Sequence, residues 1–154
     1  MARTTDRRPI ATNRKARHRF LVLEEVECGI ALTGTEVKSL RAGRCSIAEA
    51  YAVIKRGELW LVGATIPEYS HGNVMNHAPG RERKLLVHAR ERRAWEKRVR
   101  EKGFTLVPLE IYFRGPLVKV RLALVRGKRL ADKREAERRD TARREIDRAL
   151  SRRR

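Results

Sequence analysis

Cysteine is almost absent from this chain: Cys28 and Cys45 are the only two in 154 residues. Two isolated thiols make neither a disulfide framework nor a zinc site, and a reduced cytosolic compartment is the simple reading. Aromatic residues are scarce at 5%, which argues against a stacking platform of the single-strand-binding kind. Acidic side chains are outnumbered, 19 against 38 Lys and Arg, giving a formal net charge of +19 and a pI near 11.3. That surplus says little about fold, but it attracts nucleic acid or an anionic membrane. No stretch approaches the ~20 apolar residues of a spanning helix, and residues 1–17 hold no apolar run of the signal-peptide kind. A membrane-surface helix needs large apolar anchors, and the C-terminal segment has no Trp or Phe. Nucleic acid is the better partner.

Catalytic signatures are missing as well. There is no Ser-His-Asp arrangement, no P-loop and no GxGxxG. His71, His77 and His88 fit no zinc spacing and read as surface hydrogen-bonders. Cys28 and Cys45 read as small buried thiols. Glu24, Glu25 and Glu27 sit on a strand whose exposed face needs charge. No metal, cofactor or enzymatic activity is expected.

What the chain does have is a basic tail. Residues 128–154 hold twelve Lys and Arg against six Asp and Glu, with Leu130, Ile146 and Leu150 as the only large apolar side chains. Arg, Ala, Glu and Lys favour helix, yet so little apolar surface cannot offset the ordering entropy. The tail should therefore order mainly against a polyanion. Residues 1–17 carry six basic residues and one acidic residue, and read as a flexible basic arm.

The middle, 18–127, alternates strands with short helices. Phe20–Glu27 is strand-rich, and Gly29–Leu32 continues it. Thr33 and Glu36 have capping-box spacing ahead of a short helix through Val37 and Leu40 that stops at Gly43. Ile47–Lys55 and Glu58–Ile66 read as strands joined by the two-residue turn Arg56-Gly57. A loop spans Pro67–Glu82, and Lys84–Val87 is a short strand. His88–Lys102 is a charged helix that docks through Trp95 and Val99 and ends at Gly103; its charges read equally well as a solvated face or as phosphate contacts. Phe104–Phe113 and Leu117–Val125 form a hairpin. In its second strand Val118, Val120, Leu122 and Leu124 alternate with Lys119 and Arg121, so one face enters a core and the other meets solvent or RNA. The expected fold is mainly β: a small antiparallel barrel or sandwich of about six strands with short flanking helices.

Three basic groups adjoin predicted strand ends or turns: Arg14, Lys15, Arg17, His18 and Arg19; then Arg81, Arg83 and Lys84; then Lys128 and Arg129. Phosphate contact is favoured there, and a folded RNA read by shape fits better than a single strand.

Asn13-Arg-Lys-Ala-Arg-His18 and Leu32-Thr-Gly-Thr-Glu-Val-Lys-Ser-Leu-Arg-Ala-Gly43 resemble the SmpB family, the SsrA-binding (tmRNA-binding) proteins of bacteria. So do His71-Gly-Asn73, Asn76-His77, Arg83-Lys-Leu-Leu86, Lys102-Gly103, Leu106-Val-Pro108, Tyr112-Phe113, Gly127-Lys-Arg129 and Asp132-Lys-Arg134, in the family's order. The resemblance implies an OB-like barrel with a long tail. It implies a non-enzymatic, cytoplasmic adaptor that binds the tRNA-like domain of tmRNA and carries it to stalled bacterial ribosomes. The tail would turn helical in the empty message channel against small-subunit rRNA. Elongation factor Tu is an implied indirect partner through aminoacylated tmRNA.

Asn13, His18 and Glu36 match positions tied to tmRNA binding, and the helix bearing Glu36 also offers Lys38 and Arg41. A carboxylate repels phosphate, so Glu36 would orient a cation such as Lys38 or accept from RNA base or ribose groups, besides capping its helix. Asp132, Lys133 and Arg134 match the motif for accommodation on the ribosome. Asp132 and Glu135 have capping-box spacing, so the tail helix would begin there, with Arg138, Arg139, Arg143 and Arg144 reaching phosphates. Ala131 stands where many relatives carry His or an aromatic residue, and alanine cannot stack. A general OB-type single-strand binder and an RNA-modifying enzyme are the competing readings.

Overall fold

Strands β6 (Phe104–Arg114) and β7 (Leu117–Gly127) form the centre of the fold, an antiparallel hairpin of two 11-residue strands. The computed structural model of the chain describes residues 7–70, 76–100, 103–127 and 130–152, with residues 130–137 described by backbone alone. Around the hairpin run β1 (Arg7–Thr12), α1 (Ala16–Arg19), β2 (Phe20–Ile30), α2 (Gly34–Arg41), β3 (Tyr51–Lys55), β4 (Glu58–Val62), β5 (Arg83–Leu86) and α3 (Ala89–Arg100). The seven strands pair in the order β1-β6-β3-β4-β5-β2-β7, every pair antiparallel. The additional β6–β7 pairing closes the ring into an OB-like barrel, with β1 attached outside it on β6. Pro108 cannot donate to a ladder, and the β6–β7 register shifts between Pro108 and Glu110.

The closed ring has six strands, as expected, and β1 is a seventh outside it. The flexible arm expected over 1–17 is instead strand at Arg7–Thr12 and helix at Ala16–Arg19. The cause is specific. Arg7 lies 4.2 Å from the Tyr112 ring centroid and pairs with Glu110, and Arg8 lies 5.4 Å from the Phe113 ring. Ile10 and Ala11 pack on the core. Cations stacked on aromatic faces and two small apolar contacts hold a segment that composition alone marks as loose.

The alternation in β7 is half right. Val118, Val120, Leu122 and Leu124 face the barrel interior with Leu59, Leu61, Leu85, Leu106 and Ile111. The opposite face meets solvent at Leu117, Lys119 and Arg121. Further on, Ala123 and Val125 are buried in a second small core with Ala16, Val107 and Leu109, under α1 and Phe20. On α3, Trp95 is buried in the main core and donates Nε1–H to Glu24 at 2.7 Å, so the indole is satisfied as it packs.

Turn chemistry follows the backbone. Arg56 and Gly57 both take positive φ, 53° and 73°, as a two-residue hairpin of the primed type requires. The strands they join are shorter than expected, with Ser46 and Thr65 meeting only as an isolated bridge. Gly63 has φ 81°, and a Cβ there would lie 2.8 Å from the Glu49 carbonyl oxygen. Gly63→Ala should lose about 1–3 kcal/mol from the left-handed backbone alone, plus the displacement of that carbonyl. Urea unfolding will read this as a lower midpoint at unchanged slope.

The tail forms α4 (Leu130–Arg152), a helix of 23 residues. It begins two residues ahead of Asp132, so Asp132 lies within the helix and does not cap it. Its described side chains are exposed throughout, including Ile146 and Leu150 at 59% and 58%. No helix among the described residues is long and apolar enough to cross a membrane.

Candidate nucleic-acid interface

The N-terminal basic group is built on one buried amide. Asn13 is 8% exposed; its Nδ2 donates to the Pro108 carbonyl at 3.2 Å and its backbone N–H to the Leu109 carbonyl at 2.8 Å. The Pro108–Glu110 irregularity leaves those carbonyls available, and Asn13 satisfies them. Its own carbonyl accepts from Ala16 N–H at 3.4 Å, and Ala16 is buried. The turn is thereby pinned, and Arg14, Lys15, Arg17, His18 and Arg19 are left exposed on the outside. Arg17 donates to Glu25 at 2.8 Å. Asn13 therefore positions the cations and does not itself offer an open contact.

The second group surrounds Glu36, and here the structure departs from expectation. Glu36 is 0% exposed. Thr33 N–H donates to its Oε1 at 2.9 Å, the Glu half of the expected capping box. Arg81 donates to both oxygens, at 2.5 Å and 3.2 Å, and Arg83 Nε donates to Oε2 at 2.5 Å. Arg83 is also 0% exposed, and its remaining N–H groups reach the carbonyls of Ala64, Pro79 and Arg81 at 3.0–3.1 Å. Glu36 thus orients Arg81 and Arg83, not Lys38, and faces no solvent through which RNA could reach it. Arg83, expected to contact phosphate, is wholly spent on the interior. Burial alone would raise the Glu36 carboxyl. The hydrogen bonds from Arg81, Thr33 and Arg83, with the Arg83 charge, outweigh it and hold the carboxyl below the ordinary range.

Arg81 is the outlet of this cluster. Two guanidinium groups share one carboxylate, and the Arg81 side chain is 33% exposed. Nearby, His77 is buried at 6% and bridges two elements. Its Nε2 lies 2.8 Å from the Ile66 carbonyl, which only accepts, so Nε2 carries the proton and Nδ1 accepts from Thr35 Oγ1 at 2.8 Å. The expected surface histidine is a tie between α2 and the loop that follows β4. His88 is exposed, and His71 lies outside the described residues.

The other expected contacts are dispersed. Lys38 lies 5.5 Å from the Tyr69 ring centroid, and Arg41 is exposed. Lys84 sits 3.3 Å from Glu58. Lys128 and Arg129 lie outside the described residues, and Asp132, Lys133 and Arg134 are placed on α4 by backbone alone. Arg138, Arg139, Arg143 and Arg144 are exposed along α4. The Asn13–Arg19 and Glu36–Arg81 groups lie at opposite ends of β2, an 11-residue strand that spans roughly 30 Å. They make two separate patches, which suits an extended RNA surface better than a small ligand.

Cys28 is buried and Cys45 half-buried; burial pushes their thiols up to about 12 and about 11, far from a nucleophile's range. Among the described residues no three His, Cys, Asp or Glu side chains are placed to hold a metal. Sequence reasoning missed Tyr51, which is 44% exposed. The signal was present: with Ala52 turned inward on β3 and Ala50 buried just ahead of it, Tyr51 must face out.

The family model described as SmpB protein matches residues 10–152. The SsrA-binding protein of Acidothermus cellulolyticus is 55% identical over 153 residues, which cover 99% of this chain and 96% of its own. That of Kineococcus radiotolerans is 51% identical over 154 residues, 100% of this chain and 99% of its own. A solved structure described as "tmRNA-SmpB: a journey to the center of the bacterial ribosome" is 48% identical, with a TM-score of 0.66, covering 84% of this chain and 94% of that one.

Proposed function

The chain belongs to the SmpB family, and from that premise we infer its working cycle. It is a non-enzymatic adaptor that binds tmRNA and serves at the bacterial ribosome. The observation that carries this is the match over residues 10–152, which takes in both basic patches and most of the tail. The physical chemistry agrees. A net charge of +19 supplies a large counterion-release term. Two patches set apart along β2 suit a folded RNA, whose shape and phosphates are read together.

The finer division of labour is our proposal. The barrel binds the tRNA-like domain through Arg14, Lys15, Arg17, His18, Lys38, Arg41, Arg81, Lys84, Lys128 and Arg129. Asn13, Glu36 and Arg83 hold those contacts in place. The tail, with Asp132, Lys133, Arg134, Arg138, Arg139, Arg143 and Arg144, lies along ribosomal RNA in a message channel emptied of mRNA. A helix of 23 residues spans about 35 Å, long enough to report on an empty stretch of channel. Elongation factor Tu takes part through the aminoacyl end of the RNA, and the work is cytoplasmic.

The test is binding to tmRNA beside an unrelated RNA of equal length, across salt. Six to ten phosphate contacts should lose roughly 10³–10⁵ in affinity between about 50 and 200 mM salt, with the preference for tmRNA retained. Equal affinity for the two RNAs would mean a general polyanion binder. A flat dependence on salt would mean that recognition does not rest on the basic patches.

A further inference from the structure

A cleft of about 180 Å³ opens between α1 and the start of β3. Lys15, Arg19 and Phe20 line it from the α1 side, and Glu49 and Tyr51 from the β3 side. Three facts make it more than a crease. Tyr51 is an exposed aromatic in a chain with very few, standing on the outward face of β3. Lys15 and Arg19 are exposed and have no ion-pair partner among the described residues. Glu49 is exposed and also unpaired among the described residues, while its backbone carbonyl is packed against Gly63.

Phosphate binding explains the cations but not Glu49, because a carboxylate repels phosphate. Base recognition explains both. An ionised carboxylate only accepts, through two adjacent oxygens. Guanine alone among the RNA bases presents two adjacent N–H donors on its Watson–Crick edge. Adenine and cytosine set one amino group beside a ring acceptor, and uracil has one imino group between two carbonyls. Unpaired bases in folded RNA are recognised by stacking on an aromatic side chain and by hydrogen bonds to that edge.

We propose that this cleft takes one unpaired guanine of the bound RNA, stacked on Tyr51, with its Watson–Crick edge on Glu49 and its phosphate on Lys15 and Arg19. The proposal rests on the reading that the partner is tmRNA and adds a base-specific contact to a surface otherwise built for phosphates.

The experiment is kethoxal probing of unpaired guanines in tmRNA, with affinity measured in parallel, for wild type, Tyr51→Phe, Tyr51→Ala and Glu49→Gln. Wild type and Tyr51→Phe should shield the same guanine. Tyr51→Ala and Glu49→Gln should leave it reactive, and Tyr51→Ala should weaken binding about ten- to a hundredfold. If both variants shield that guanine and bind within about twofold of wild type, the guanine site is overturned while tmRNA binding stands. If only Lys15→Ala and Arg19→Ala weaken binding, the cleft is a phosphate contact and the proposal fails. A wild-type chain that does not prefer tmRNA overturns the partner assignment and the guanine site with it. Glu49 is exposed and unpaired, so Glu49→Gln decides the matter even if Tyr51→Ala does not fold.

Discussion

Glu36→Ala is expected to cost the fold about 3–5 kcal/mol, because it strands buried guanidinium charge. A lost helix cap alone would cost only ~1 kcal/mol. The larger figure follows from geometry. Arg83 is 0% exposed, and among the described residues Glu36 is the only carboxylate hydrogen-bonded to it. Remove it and a positive charge stays in the interior with three carbonyls and no counter-charge. Against a typical total of ~5–15 kcal/mol, that is enough to leave part of the protein unfolded. Glu36→Gln keeps the shape and one acceptor and should fall in between. Acid sharpens the test. The carboxyl is held below its ordinary value, so its stabilising contribution is complete above about pH 4.3 and is lost as pH falls through the folded value. Glu36→Gln should remove that part of the acid-unfolding limb. Urea titration of the three proteins between neutral pH and the acid limb is the measurement. A loss of only about 1 kcal/mol for Glu36→Ala would show that the cap, and not the ion network, is what Glu36 contributes.

The same geometry changes how a binding defect at Glu36 should be read. Glu36 touches no solvent, so weakened tmRNA binding would pass through Arg81 and the 76–83 backbone that Arg83 gathers. Arg81→Ala removes the exposed outlet without uncovering Arg83. It should weaken RNA binding with a much smaller loss of stability.

Most of the barrel was legible, and for identifiable reasons. Period-two runs with turn residues between them located β2 through β7 to within a few residues. Thr33 and Glu36, three apart, announced α2 because a capping box is a local device. β1 was not legible, since what orders it is non-local. Arg7 and Arg8 lie over Tyr112 and Phe113, more than a hundred positions away, and nothing within RRPIAT signals that. Residue type likewise could not reveal that Arg83 is buried. An arginine beside a turn reads as a surface cation. Only the pairing of Leu61 with Arg83 across β4 and β5 turns its side chain inward toward Glu36. His77 was misread for the same reason: its partners lie on α2 and after β4. Charge patterning located the candidate interface, whereas which cations stay free depends on tertiary partners.

Deleting Asp132–Arg154 should leave the barrel folded and tmRNA bound but abolish peptide tagging on stalled ribosomes. The tail side chains that the structure describes, those of residues 138–152, are exposed without exception, and Ile146 and Leu150 bury little. Their removal takes almost no apolar area from the core, so stability should barely change. The approach of α4 to α1 is slight, and no described side chain of α4 belongs to either buried core. Both patches remain, with Lys128 and Arg129 still in the chain. What is lost is a basic helix whose arginines must find ribosomal phosphates. Free in solution that helix should be only weakly formed, since an isolated helix of this length is marginal and α4 has little to pack against. Circular dichroism of full-length and truncated protein will show how much helix the tail holds alone. The decisive comparison is tagging in a reconstituted translation reaction alongside tmRNA affinity. Normal tagging without the tail would refute the proposed division of labour. Loss of affinity together with tagging would place the tail in the tmRNA site, with the barrel's two patches insufficient without it.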